Sequence, residues 1–281
     1  MGKVDSRMRR RDVVGLVGTG VMARGIARLA LDSGKRVRVW ARSAESADRI
    51  ATYLREKCSA HIDEPENLEC GIVPQVLAGA DIVIESVVED LALKRRSLAQ
   101  LADVLDQATV IGSNTSSLRV RDIMAGLKDP ERCLGLHFMN PPHRMPLVEV
   151  VPTDETSETN VKAAVHFCRE LGKEPVVVPD EGGFILNRVL FPMICEAIAI
   201  YDLEEASAGD IDRIVRLGAR HPMGPLELAD FIGLDVCAAI LRNLQGEMPS
   251  TAETSIAVLE ELVGDGRCGR KTRHGFYEYG E

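Results

Sequence analysis

No stretch of this sequence offers the roughly 20 uninterrupted apolar residues that a membrane span takes. Nor is there a surplus of positive charge. Lys and Arg number 34 against 43 Asp and Glu, a formal net charge of −9, so nothing large is available to neutralise the phosphates of a nucleic acid. The seven cysteines (Cys58, Cys70, Cys133, Cys168, Cys195, Cys237 and Cys268) are odd in number, scattered and without metal-ligand spacing. Such a pattern argues against a disulfide framework or a zinc site and for reduced thiols. The opening residues MGKVDSRMRRR are basic and polar, with no apolar run behind them to act as a signal peptide. These absences lead us to expect a soluble cytoplasmic protein without metal. Internal repeats and low-complexity tracts are also lacking.

What is present is an ordinary globular composition, 45% hydrophobic and 27% charged over 281 residues, enough for one large domain or two of usual size. Short β-branched runs alternate with helix-like segments through the first two thirds. Expected strands are Val13–Gly18, Val37–Ala41, Ile82–Val87, Thr109–Gly112, Leu134–Phe138, Leu147–Val151 and Val176–Val178. Met22–Leu31 and Leu91–Leu105 carry apolar residues at helical spacing between them. This alternation predicts an α/β fold, a doubly wound and mostly parallel sheet. From Phe184 onward the apolar residues recur at three and four. The boundary falls at Gly182-Gly183, dividing residues 1–182, a Rossmann-type domain, from an all-helical domain at 183–281.

The first strand runs into Gly18-Thr19-Gly20-Val21-Met22-Ala23-Arg24-Gly25 and then a helix. Gly18 permits a tight turn, Gly20 lets the backbone approach a pyrophosphate, and Ala23 or Gly25 lets the helix pack closely. The helix N-terminus at Val21 and Met22 then presents N–H groups to phosphates. Standing after a strand and before a helix, the motif predicts dinucleotide binding. An acidic residue ending the second strand would bond the ribose 2′-OH of NAD. Ala41 stands there instead, followed by Arg42 and Ser43, which can meet a 2′-phosphate. NADP is therefore favoured over NAD, with a solvated Arg42 as the alternative.

Three further strand ends carry polar residues that packing does not require: Ser113-Asn114-Thr115-Ser116-Ser117, His137 and Glu149. Ligands of open α/β sheets bind beyond the carboxyl ends of strands. A histidine there can take a proton at neutral pH, and a carboxylate beside it would hold the imidazolium. A satisfied buried histidine and a salt-bridged strand glutamate are the structural alternatives.

Several segments together resemble the 3-hydroxyacyl-CoA dehydrogenase family. They are Asn114-Thr115-Ser116-Ser117, His137-Phe138-Met139-Asn140-Pro141, His143-Arg144-Met145-Pro146-Leu147-Val148-Glu149 and Phe184-Ile185-Leu186-Asn187-Arg188. His221-Pro222-Met223-Gly224-Pro225-Leu226-Glu227-Leu228 and Gly275-Phe276-Tyr277 complete the series, in order from about Val13 to Tyr279. The resemblance implies oxidation of a 3-hydroxyacyl thioester by hydride transfer. His137 is implied as general base, Glu149 as the group that orients it, and Ser116 and Asn187 as hydrogen-bonding partners of the reacting oxygen. Glu89 and Lys94 are implied near the nicotinamide ribose, Asn114 near the nicotinamide or substrate, and the helical domain as the interface of a homodimer.

The chain departs from this pattern in three places. Ala41 replaces the usual acid, Gly182-Gly183-Phe184 replaces Pro-Gly-Phe and implies a looser hinge, and the stretch from Ser43 to Asp81 is shorter than in the family. A shortened cover over the thioester leaves two carriers open, CoA itself or the phosphopantetheine arm of an acidic acyl carrier protein, with Arg49, Arg55 and Lys57 as hints of a basic surface. A dehydrogenase of free hydroxy acids and a non-catalytic dinucleotide-binding protein are the competing readings. The related β-hydroxyacid dehydrogenases use a lysine where this chain has Asn187-Arg188.

Overall fold

In a computed structural model of the chain, the structure describes residues 12–58, 66–244, 246 and 248–280. The opening basic residues and part of the shortened stretch, 59–65, lie outside them. The chain divides into two compact units, Met1–Glu181 and Gly182–Glu281.

The first unit is built on a sheet in the order β3-β2-β1-β4-β5-β6-β7-β8. The strands are β1 (Val13–Val17), β2 (Arg36–Trp40), β3 (Leu68–Gly71), β4 (Ile82–Glu85), β5 (Val110–Ser113), β6 (Cys133–Phe138), β7 (Leu147–Pro152) and β8 (Glu174–Val177). Helices α1 (Val21–Asp32), α2 (Ala44–Lys57), α3 (Leu91–Ala99), α4 (Val120–Met124) and α5 (Glu158–Glu170) occupy the connections. Pairing is parallel throughout except between β6 and β7. Parallel neighbours need a crossover of about a dozen residues or more. The segment 139–146 is too short for one, so β7 returns antiparallel. Strand order reverses between β1 and β4, which are adjacent, and such a switch point opens a crevice at the carboxyl ends.

Two features differ from expectation. β3 was not anticipated, because Leu68-Glu69-Cys70-Gly71 is a four-residue edge strand with a single buried side chain, too little for a period-2 signal. The helix expected over Leu91–Leu105 ends at Ala99. Leu101 and Val104 then donate to the carbonyls of Leu98 and Leu101, tight turns that keep Leu98, Leu101 and Leu105 buried.

Side chains alternate across a strand. Val14, Leu16, Ile82, Ile84, Val110, Leu134, Leu136, Phe138, Val148 and Val150 share one core with Ile26 of α1 and Phe167 of α5. The intervening residues Glu85, Ser113, His137 and Glu149 therefore point to the opposite face. Polar chemistry is thus concentrated on one side of the sheet by strand periodicity alone.

The second unit comprises α6 (Leu186–Asp202), α7 (Ala208–Gly218), α8 (Pro225–Ile232), α9 (Leu234–Asn243) and α10 (Thr251–Gly264). Phe191, Ile194, Ile198, Leu226, Leu234, Leu241, Leu259 and Phe276 form its core. Two buried aspartates bind the C-terminal segment to the helices. Asp212 accepts the N–H groups of Leu226 (2.9 Å) and Glu227 (2.8 Å) at the start of α8, and also the Tyr277 hydroxyl at 2.7 Å. Asp230 accepts from the Phe276 and Tyr277 amides, both at 3.0 Å, and from the Tyr279 hydroxyl at 2.9 Å. Among the described residues no helix is long and apolar enough to cross a membrane.

Candidate active site

Gly18 leaves β1 with φ +110°, and a Cβ there would stand 2.7 Å from the Ser86 carbonyl oxygen. Only glycine accepts that conformation and that approach. Gly20 differs: its backbone is extended, it begins α1, and a Cβ on it would meet nothing within 4 Å. The first turn of α1 (Val21, Met22, Ala23) contains no acidic residue and its N-cap supplies no side-chain bond. Val21 is exposed and Met22 half-buried. Open space in front of uncapped helical N–H groups fits the pyrophosphate of a dinucleotide. Ala23 is fully buried, while a Cβ on Gly25 would lie 2.7 Å from Pro142, so Gly25 admits the β6–β7 loop against α1.

At the end of β2, Ala41 is buried and donates its N–H to the Gly71 carbonyl at 2.8 Å. Arg42 is exposed. The Ser43 hydroxyl caps α2, accepting from the Ser46 N–H at 3.3 Å and lying 2.8 Å from the Ser46 hydroxyl. The next acid, Glu45, is ion-paired with Arg49 at 2.9 Å.

His137 and Glu149 stand directly opposite each other in the antiparallel β6–β7 ladder. The ring Nδ1 is 2.8 Å from Glu149 Oε2, and both side chains are buried. An Nδ1–H donated to the carboxylate fixes the tautomer whose basic lone pair is on Nε2. Asn114, at the end of β5, accepts the Phe138 N–H on its Oδ1 at 2.9 Å and reaches the Ser86 hydroxyl with Nδ2 at 3.4 Å. It thereby joins the carboxyl ends of three strands beside His137.

Ser116 is held by an acid–lysine network. Glu89 Oε1 accepts the Thr115 hydroxyl (2.6 Å), the Ser116 N–H (2.9 Å), the Ser117 N–H (3.0 Å) and the Ser117 hydroxyl (3.1 Å), with the Ser116 hydroxyl at 3.4 Å. Its Oε2 pairs with Lys94 at 3.2 Å. Lys94 is fully buried and also binds Glu85 at 2.9 Å, while Glu85 accepts the Ser113 hydroxyl at 2.6 Å and the Val87 N–H at 2.7 Å. Burial pushes the Glu89 carboxyl up, but the Lys94 ammonium and these donors outweigh it and hold the group below its ordinary value. Glu85 was not singled out from the sequence, although Ser113 was, at the head of its polar strand-end run. The signal was a carboxylate closing the apolar run Ile82-Val83-Ile84, the same signal that marked Glu149.

Asn187 lies in the second unit, buried in the first turn of α6, its N–H on the Gly183 carbonyl at 3.2 Å. Gly183 has φ +71° and Phe184 φ +53°. A bulky residue in the left-handed region is strained by about 1–3 kcal/mol, and full burial of Phe184 offsets it. The buried thiols are poor nucleophiles, since burial pushes Cys133 and Cys168 up to about 12.

Known proteins share this architecture. The profile of the 3-hydroxyacyl-CoA dehydrogenase NAD binding domain matches residues 13–181, and that of the 3-hydroxyacyl-CoA dehydrogenase C-terminal domain matches residues 183–279. A 3-hydroxybutyryl-CoA dehydrogenase of Clostridioides difficile is 34% identical over 94% of this chain and 98% of its own. The human mitochondrial hydroxyacyl-coenzyme A dehydrogenase is 35% identical over 95% of this chain and 90% of its own. Among solved structures, the (S)-3-hydroxybutyryl-CoA dehydrogenase PaaH1 of Ralstonia eutropha superposes with a TM-score of 0.84. It is 32% identical and covers 97% of this chain and all of its own.

Proposed function

Since the chain belongs to the 3-hydroxyacyl-CoA dehydrogenase family, we propose that it interconverts a 3-hydroxyacyl thioester and its 3-ketoacyl thioester with a nicotinamide dinucleotide. The observation that carries this reading is the buried His137–Glu149 pair at 2.8 Å. When bound, the nicotinamide dinucleotide would supply the hydride acceptor for C3 of the substrate. His137 removes the hydroxyl proton, and Glu149 holds the charge that forms on the ring. Ser116 and Asn187 donate to the oxygen as it becomes a carbonyl. In the reverse direction His137 returns the proton. Gly18, Gly20, Val21 and Met22 would hold the pyrophosphate. Asn114, Glu89 and Lys94 belong to the nicotinamide end, where Lys94 acts through the carboxylates that enclose it.

The cofactor is NADP in preference to NAD. Buried Ala41 places no carboxylate against a 2′-phosphate, and exposed Arg42 is available to it. Ser43, occupied in capping α2, contributes at most its remaining hydrogen-bonding capacity. CoA is the favoured carrier, because Arg49, one of the cations an acidic carrier protein would need, is neutralised by Glu45. The enzyme acts in solution in the cytoplasm as a homodimer. The exposed apolar side chains Val189, Ile214 and Leu217 of the helical unit support self-association.

The test follows absorbance at 340 nm with NADH or NADPH against acetoacetyl-CoA and its carrier-protein equivalent, in wild type, Arg42→Ala and Ala41→Asp. We expect turnover of acetoacetyl-CoA with NADPH favoured by about tenfold, a preference of about 1.4 kcal/mol. Arg42→Ala should erase that preference and Ala41→Asp reverse it. Strong preference of wild type for NADH would sink the NADP assignment, and absence of turnover with every pair would sink the activity.

A further inference from the structure

Arg24, the fourth residue of α1, is a cation that pairs with no carboxylate among the described residues. Its Nε donates to the Thr19 carbonyl, between Gly18 and Gly20, at 3.0 Å. Its guanidinium carbon lies 5.6 Å from the centre of the Tyr53 ring on α2. Among the described residues no protein acceptor meets its two terminal nitrogens and no acid pairs with it. Arg28, Arg38, Arg49 and Arg132 of this unit are paired with Asp32, Glu69, Glu45 and Asp129, while Arg42, Arg55 and Arg144, which pair with no acid among the described residues, are exposed. In a chain with more acids than bases, a half-buried guanidinium beside the glycine turn with no acid partner among the described residues is conspicuous.

Three physical arguments converge on its use. A guanidinium held by a backbone carbonyl and an aromatic face is pre-organised, so little side-chain freedom is lost when it binds. Its planar fork matches phosphate oxygens. Through the Thr19 carbonyl it is tied to the turn that ends at Gly20, where a Cβ would meet nothing within 4 Å and where the positive end of α1 points. From this geometry we propose that Arg24 binds a phosphate of the dinucleotide, adding a fixed charge to the backbone N–H groups of the glycine turn. This rests on the dinucleotide site proposed above but not on Arg42. The phosphate is either the pyrophosphate or the 2′-phosphate of NADP, and the two are separable by experiment.

Binding of NADP+, NAD+, 2′,5′-ADP and ADP to wild type, Arg24→Gln and Arg24→Lys is measured by isothermal titration calorimetry, with no turnover involved. Arg24→Gln should weaken binding about 10- to 100-fold, the loss of one charge-assisted hydrogen bond, and Arg24→Lys should recover part of it. A loss confined to NADP+ and 2′,5′-ADP assigns the 2′-phosphate. A parallel loss that includes NAD+ and ADP assigns the pyrophosphate. Unchanged affinities in Arg24→Gln, or equal losses in the Gln and Lys variants, would overturn the proposal, the latter leaving Arg24 only a shape-keeping contact with Thr19. Should wild type prefer NAD+ to NADP+, the NADP reading fails while a parallel loss still supports Arg24. Unchanged affinities with NADP+ preferred refute Arg24 alone.

Discussion

A histidine paired to a carboxylate across an antiparallel ladder keeps its ring oriented for as long as both residues stay in register. Glu149→Gln preserves the shape and a hydrogen-bonding oxygen but removes the charge that favours the imidazolium. Turnover should fall, but less than in a His137 variant; an undiminished rate would deny Glu149 its role. Glu89 makes a second prediction. Because its carboxyl is held below its ordinary value of 4.5, its contribution to stability is complete above that pH and lost as pH falls through the lowered value. The stability difference between wild type and Glu89→Gln, measured by urea denaturation, should be level from neutral pH down to about 5 and shrink below the 4.5 reference. His137, Glu149 and Asn114 were legible in the sequence because polar residues at strand ends lack a packing reason. Glu85 and Arg24 were not, since their meaning lies in partners distant along the chain or in the want of them.

Among the elements, the strand–turn–helix of the cofactor site was readable in full, because glycine spacing encodes backbone geometry directly. Gly18→Ala combines a strained φ with a collision against the Ser86 carbonyl. It should weaken dinucleotide binding and lower the melting temperature, whereas Gly20→Ala, facing open space, should weaken binding with little change in melting. Equal melting of the two variants would show that the turn is not held as described. Elements whose residues carry little pattern were hidden. β3 has one buried side chain and is fixed by its neighbour, with Val37 paired to Leu68. The early end of α3 was also invisible, because Leu98, Leu101 and Leu105 keep the same spacing in a helix and in the turns that replace it.

At the scale of the whole molecule, the change of periodicity at Gly182-Gly183 was readable, whereas the physical reason for Gly275-Phe276-Tyr277 was not. A Cβ on Gly275 would run into the Asp230 carboxylate, and Phe276 fills the helical core. Asp230→Ala leaves the Phe276 amide in a buried site without its acceptor, at a cost of about 1–3 kcal/mol. Denaturation should show that loss, and a neutral result would mean the C-terminal segment is not part of the folded unit. Asn187→Ala should lower activity while leaving binary cofactor affinity unchanged, as its assigned partner is the substrate oxygen; a normal rate would remove it from the reaction. The account as a whole stands on proton transfer by His137. Its most direct test is the steady-state rate at 340 nm with acetoacetyl-CoA and reduced cofactor, wild type beside His137→Ala. General acid–base groups contribute about 10²–10⁴-fold, and a loss of that size with cofactor affinity retained is the result expected. A variant that keeps more than about a tenth of the wild-type rate would contradict it, since even the low end of that range exceeds tenfold.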